Sequence, residues 1–208
     1  MKTRRTTFVL AVLALIVAAA GLWSLWVLWP RANPAPRPVA VAAEIGGPFA
    51  LTDQRGERVT DVDLRGHYLL IYFGYTYCPD VCPTELQDMA RALDLLGDKA
   101  SRVTPVFITI DPARDRVAVM ADYVAHFHPR LIGLTGTDAE IAQAAKAYRV
   151  YYAKVESTGD VDGDSYLMDH SSYIYLVDPE GRFLTVYSYG QSPEDMAADV
   201  AARIDAGD

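Results

Sequence analysis

Residues 68–83 of this chain, YLLIYFGYTYCPDVCP, include both of its cysteines, Cys78 and Cys82. The part from Tyr68 to Tyr75 is a continuous run of aromatic and aliphatic side chains, which predicts a buried central β-strand. A Pro-flanked loop with the two thiols follows, and Pro83 is a helix-start signal. The apolar residues that come next repeat at helical spacing: Leu86, Met89, Ala90, Leu93 and Leu96. The stretch therefore predicts a strand, a thiol loop and a helix.

Two thiols four positions apart can either form a short disulfide or bind one soft metal ion. A disulfide needs its sulfurs at about 2.05 Å, whereas two thiolates on one trigonal metal ion lie roughly 4 Å apart. The two states therefore exclude each other. A purely structural disulfide is the weaker reading, because so short a loop gains little from a cross-link and a domain of this size does not need one.

The rest of the sequence after residue 48 predicts alternating strands and helices. A hairpin spans Phe49 to Thr60, and a capping box of Thr137 and Glu140 predicts a helix from Asp138. The other predicted elements are strands at Val103–Ile110, Leu131–Leu134, Arg149–Val155, Ser172–Val177 and Phe183–Tyr189, a helix over Val117–Phe127, and a last helix after Ser192-Pro193. This order predicts an α/β sandwich with a mixed central sheet, in the thioredoxin-like arrangement. The thiol loop then lies at the carboxyl end of a central strand, where α/β sheets place their sites.

The N-terminal segment predicts a membrane anchor. Residues 8–29 contain no charged side chain, and a helix of that length is roughly 33 Å long, enough to span a bilayer. Three basic residues precede it, at positions 2, 4 and 5, which predicts that the N-terminus is cytoplasmic. A cleaved signal peptide is the alternative, with residues 18–20 as its small-residue site. Both interpretations export the rest of the chain.

These patterns divide the chain into four parts. Residues 1–7 form a cytoplasmic N-terminus, 8–29 a transmembrane anchor, 30–48 a Pro-rich linker, and 49–208 one folded domain. The formal net charge of −8 makes nucleic acid a poor partner, because its phosphates require a basic surface. An exported domain works in an oxidising compartment, so its thiols must be kept reduced or must cycle.

A histidine provides the second signal, in Asp169-His170-Ser171. His170 comes just before a predicted central strand, at a position that faces the cysteine loop in thioredoxin-like folds. An imidazole opposite two thiols predicts a third metal ligand. Asp169 and Asp111 are further candidates, the first as a partner of His170 and the second as a residue lining the site; solvation and turn formation explain them as well.

Three stretches resemble the Sco/SenC family in the same order: residues 72–83 around the cysteines, Ile110-Asp111-Pro112-Ala113-Arg114-Asp115, and Asp169-His170-Ser171. The resemblance covers roughly residues 44–205. It implies a membrane-anchored, thioredoxin-like protein of a bacterial inner membrane, single-pass, with its soluble domain in the periplasm. It further implies copper, as Cu(I), Cu(II) or both, bound by Cys78, Cys82 and His170.

The function implied is that of a copper metallochaperone, which catalyses no reaction. Its partners would be an upstream copper donor and the subunit of cytochrome c oxidase that holds the dinuclear copper centre. The alternative is a thiol–disulfide oxidoreductase that uses Cys78 and Cys82 as its redox pair and reduces the cysteines of that oxidase site. Redox sensing is a third possibility; a thiol peroxidase fits less well, because it needs one activated cysteine rather than two adjacent ones.

Overall fold

The structure, a computed structural model, describes residues 12–25, 45–156 and 166–207. They belong to two units, residues 1–42 and 43–208. In the first unit, residues 12–25 form helix α1, whose apolar side chains are exposed. No helix in the described part of the chain is both long enough and apolar enough to cross a bilayer. The predicted anchor extends beyond α1 at both ends, and those ends lie outside the described residues.

The second unit has nine strands and four α-helices within residues 45–156 and 166–207. They are β1 (Ala50–Asp53), β2 (Arg58–Thr60), β3 (Tyr68–Gly74), α2 (Val81–Leu96), β4 (Val103–Thr109), α3 (Val117–Val124), β5 (Ile132–Thr135), α4 (Asp138–Ala147), β6 (Tyr152–Glu156), β7 (Tyr166–His170), β8 (Tyr173–Val177), β9 (Phe183–Ser188) and α5 (Pro193–Ala206).

Seven strands form one mixed sheet in the order β2-β1-β5-β4-β3-β8-β9. Strand β3 is parallel to β4 and antiparallel to β8, and β4 is parallel to β5. Every residue of β3 is buried, so both faces of the sheet are covered, as the unbroken apolar run predicts. Because β3 and β4 are parallel neighbours, the loops that follow them leave the same edge of the sheet, and Gly74 lies opposite Thr109.

The α/β fold with a mixed central sheet confirms the sequence-based prediction, and several local signals were accurate. Thr137 and Glu140 form the predicted capping box. The hydroxyl of Ser192 accepts a hydrogen bond from the backbone of Asp195 at the start of α5, and Gly97, with φ of 55°, ends α2. Each of these signals acts within a few residues, which is why the sequence alone reveals it.

Near the thiols and His170, two element boundaries differ from the prediction and one strand was not predicted. Helix α2 begins at Val81 rather than Pro83, because proline is tolerated anywhere in the first turn, where its missing N–H would have no partner. The strand predicted from Arg149 begins at Tyr152, since Arg149 adopts a left-handed φ of 58° after α4.

The third difference concerns His170. It is the last residue of strand β7, which the sequence did not predict, and β7 pairs only with β6 in a separate two-stranded sheet. The polar segment between these strands, residues 157–165, lies outside the described residues.

Candidate metal centre

The loop after β3 and the first turn of α2 hold the two thiols. Cys78 is partly exposed in the loop, whereas Cys82 lies in α2 and is completely buried. Neither forms a disulfide. The backbone N–H of Cys82 donates a hydrogen bond to Sγ of Cys78 at 3.3 Å. This bond turns the exposed sulfur towards the buried one.

His170 faces the thiols from the end of β7. Its Nε2 lies 3.5 Å from Sγ of Cys82, and its Nδ1 lies 3.0 Å from the carbonyl oxygen of Ser171. A carbonyl only accepts hydrogen bonds, so Nδ1 carries a proton and Nε2 is the ring nitrogen left facing the sulfurs. A second backbone contact, from Ser171 N–H to the Tyr151 carbonyl at 2.9 Å, holds the chain at this point.

The three side chains form a potential metal site. Two sulfurs and one imidazole nitrogen, from Cys78, Cys82 and His170, all lie within 4.8 Å of one another. That spacing is close to the roughly 4 Å expected for ligands around one trigonal ion. Among the described residues, this is the one group of three or more metal-ligating side chains that meets this spacing. The three residues that the sequence selected are thus brought together.

The sequence profile of a known family, described as SCO1/SenC, matches residues 38–205. The chain belongs to the SCO1/SenC family. Protein sco1 of Schizosaccharomyces pombe is 44% identical over 160 residues, which is 76% of this chain and 60% of that protein. The mitochondrial SCO1 homologue of Homo sapiens is 45% identical over 162 residues, 77% of this chain and 53% of that protein. The chain therefore spans little more than half the length of these two relatives.

Solved structures of SCO1/SenC relatives share the fold. Arabidopsis thaliana ScoI with copper bound has a TM-score of 0.72 at 43% identity, over 78% of this chain and 99% of the other. Bradyrhizobium japonicum ScoI with copper bound has a TM-score of 0.69 at 48% identity, over 76% and 98%. Both relatives contain copper. The thioredoxin-like arrangement of this chain is thereby confirmed.

Aromatic side chains line the buried side of this potential metal site. The hydroxyl of buried Tyr72 lies 3.7 Å from Sγ of Cys82. The rings of Tyr72 and Tyr75 meet the imidazole of His170 edge-on, with centroids 6.2 Å and 6.0 Å away. These contacts restrict the orientation of the imidazole and keep the inner side of the site free of bulk water.

Gly74 contributes to the site by having no side chain, a role that the sequence analysis missed. A Cβ atom there would lie 2.8 Å from Sγ of Cys82 and 3.0 Å from ring atoms of Tyr72 and Phe107. Real Cβ atoms essentially never approach other atoms so closely, so Cys82 can occupy its place only while residue 74 is glycine. The signal that could have found it is an isolated glycine inside a strand, which often marks a close approach.

The two thiols differ in proton affinity. The pKa of Cys78 is lowered to about 3, mainly by a hydrogen bond from the thiol of Cys82 and further by His170 and by the backbone N–H groups of Asp80 and Cys82. The same hydrogen bond raises the pKa of Cys82, and burial and the charge of Cys78 raise it further. A helix N-terminus by itself would lower the pKa of both thiols. The pKa of Cys82 is raised instead, because one thiolate makes a second one next to it unfavourable.

The acidic candidates do not join the metal group. Asp169 is exposed. Asp111 is buried and bonds to Arg114 and to the hydroxyl of Tyr166. Asp115, to which the sequence assigned no separate role, is completely buried and accepts hydrogen bonds from the Thr76 backbone at 3.0 Å and the Thr76 hydroxyl at 2.6 Å. It thereby fixes the start of the thiol loop.

Proposed function

We propose that this chain is a copper metallochaperone that binds one copper ion as cargo through Cys78, Cys82 and His170. One observation carries the proposal: two sulfurs and an imidazole nitrogen lie within 4.8 Å of one another, with Nδ1 of the imidazole bonded to a backbone carbonyl so that Nε2 faces the sulfurs. Copper in relatives more than 40% identical supports it. The chain delivers this copper to the dinuclear copper centre of cytochrome c oxidase, after receiving it from an upstream donor.

The chemistry of the donor set fits copper as cargo. Thiolates favour Cu(I), and imidazole binds either oxidation state of copper. Three protein ligands leave a side of the ion open to a ligand from an acceptor site, which favours its transfer to that site. Cys78 is already a thiolate at neutral pH, whereas Cys82 must lose its proton when the metal enters. Loading is therefore favoured at higher pH, because the metal competes with a proton for this one sulfur.

A second function has support in the same site. A partly exposed thiolate next to a buried, protonated thiol resembles the arrangement of a thiol–disulfide oxidoreductase, in which one sulfur attacks and the other resolves. Such an enzyme would reduce the cysteines of the oxidase copper site before copper enters. It requires Cys78 and Cys82 but not His170, and this difference separates the two functions.

The copper proposal is tested with the reduced soluble domain, residues 39–208, exposed anaerobically to excess copper and then desalted. We expect one copper ion per domain by metal analysis, since there is one ligand group. The same protein with its two cysteines oxidised is the matched control. It should retain none, because a disulfide removes both anionic ligands. Equal copper uptake by the two forms would rule this site out.

The membrane anchor is part of the same proposal. Residues 8–29 span a bacterial inner membrane once, residues 30–48 form a linker, and residues 49–208 lie in the periplasm. The exposed apolar side chains along α1 support it, among them Leu15 at 71% and Trp23 at 70%.

Alkaline phosphatase fused after residue 40 should be active, because that enzyme needs an oxidising compartment. An inactive fusion would show that the domain faces the cytoplasm and would contradict the proposed topology. A mature chain that begins after residue 20 would indicate a signal peptide.

A further inference from the structure

The segment that follows β4 contains charged residues that bind no metal. It reads Asp111-Pro112-Ala113-Arg114-Asp115, and apart from Asp111 its residues were noted in the sequence only as part of the family resemblance. The guanidinium of Arg114 forms an ion pair with Asp111, and their side chains are only 15% and 5% exposed. Burying such a pair is costly unless further hydrogen bonds satisfy it. The additional contacts of Arg114 are therefore informative.

Arg114 contacts the beginning of β7, the strand that ends at His170. Its Nη1 donates to the carbonyl oxygen of Tyr166 at 3.0 Å, and its guanidinium lies 3.6 Å from the centroid of the Tyr166 ring. The hydroxyl of Tyr166 donates to Oδ1 of Asp111 at 2.8 Å. Backbone, ring and hydroxyl of one β7 residue are thus all bound to Arg114 or to its ion-pair partner.

The same segment also contacts the thiol loop. The guanidinium of Arg114 lies 4.6 Å from the ring centroid of Tyr77, the residue before Cys78. The adjacent Asp115 binds Thr76 through its backbone and hydroxyl. Two consecutive residues after β4 therefore connect the loop with the thiols to the strand with the imidazole.

The β6–β7 hairpin depends on such connections. It forms a two-stranded sheet apart from the main sheet, and an isolated two-stranded hairpin is at best marginally stable in water. The thiols do not depend on it, because β3, α2 and Asp115 hold them. The position of the His170 imidazole, unlike that of the sulfurs, therefore depends on the contacts that β7 makes with the rest of the domain.

We propose that Arg114 is a positioning residue that holds the His170 imidazole against the two thiols by fastening β7 to the segment after β4. This proposal rests on the proposed copper function, since it assigns a role in building the same metal site. Arg114 touches neither sulfur nor imidazole. It acts through β7.

The test uses the full chain, purified in detergent and reduced, with Cu(I) affinity measured by competition with a chromophoric chelator. Arg114→Gln should lower the affinity by ~10–100-fold, the range typical of residues that orient metal ligands. Arg114→Lys should recover only part of it, because an ammonium group lacks the planar fork that binds Asp111 and Tyr166 together. The matched control is Arg182→Gln, which breaks an ion pair with buried Asp178 in the turn between β8 and β9. It should leave the affinity unchanged.

A second comparison distinguishes positioning from a general structural role. In the His170→Ala background, Arg114→Gln should reduce the affinity less than threefold, because the ligand it positions is gone. In the metal-free protein, hydrogen exchange at the amides of β6 and β7 should be at least tenfold faster in Arg114→Gln, with β3 and β4 unchanged. If Arg114→Gln fails to fold, Tyr166→Leu, which removes the ring and hydroxyl on β7, takes its place.

The outcomes separate this proposal from the copper function. If Arg114→Gln keeps the wild-type affinity for Cu(I), the positioning role is overturned while the copper site stands. The same holds if Arg114→Gln lowers the affinity equally in the wild-type chain and in the His170→Ala variant. If the wild-type chain binds no copper, the proposed function fails instead. Hydrogen exchange then decides the role of Arg114, and unchanged exchange in β6 and β7 overturns it.

Discussion

Replacing His170 by alanine is expected to lower the affinity for copper by more than ~100-fold and to leave disulfide exchange within several-fold of wild type. Removing a ligand should exceed the ~10–100-fold cost of changing a residue that only orients one. Thiol exchange depends instead on thiolate fraction and access. The main interaction that lowers the pKa of Cys78 is the hydrogen bond from Cys82, which the variant keeps, so Cys78 remains a thiolate at neutral pH.

The measurements are Cu(I) competition, the rate of exchange with a small disulfide, and oxidase assembly in copper-limited cells. Cys82→Ser is the matched control, because it removes a copper ligand and the redox pair together and should abolish both activities. Full oxidase assembly with His170→Ala would contradict copper delivery through this site. The thiol–disulfide oxidoreductase would then be the better assignment.

Replacing Gly74 by alanine is expected to affect both stability and metal binding. The new Cβ would lie 2.8 Å from Sγ of Cys82 and 3.0 Å from two aromatic rings. None of these neighbours is the free end of a flexible side chain, so the sulfur or the strand must shift. Overpacking of this kind costs about 1–3 kcal/mol. Because the displaced atom is a proposed ligand, the folded variant should also bind copper at least ~10-fold more weakly, as for other changes that misplace a ligand.

Gly133→Ala is the control for this second variant. Its Cβ would lie 2.8 Å from a methyl group of Val124 and 3.1 Å from Met120, in the core between β5 and α3. Denaturant unfolding should show a comparable loss of stability in both variants, whereas competition for Cu(I) should show a loss only in Gly74→Ala. Equal copper affinities in the two variants would contradict a role for Gly74 in placing Cys82.

The sequence was sufficient to predict the fold class because its signals are local. An unbroken apolar run requires a strand covered on both faces, as β3 is. The capping box of Thr137 and Glu140 acts across three residues. The two cysteines are so close in sequence that any strand–loop–helix geometry places them together, and the imidazole was selected by its place next to a central strand.

Only the tertiary structure determined which contacts hold the three ligands in place and which of the two thiols is ionised. The contact between Cys82 and His170 joins residues 88 positions apart, and that between Arg114 and Tyr166 joins residues 52 apart. The backbone partner of strand β7 is β6, which an undescribed segment separates from it in the chain, and no local pattern in the sequence predicted this strand. The opposite pKa shifts of Cys78 and Cys82 follow from burial and from one hydrogen bond between them. Residue types and spacing determined which ligands this chain can offer, whereas long-range packing determined the distances between them, their burial and their protonation. These three properties depend on atoms that come together only when the chain folds.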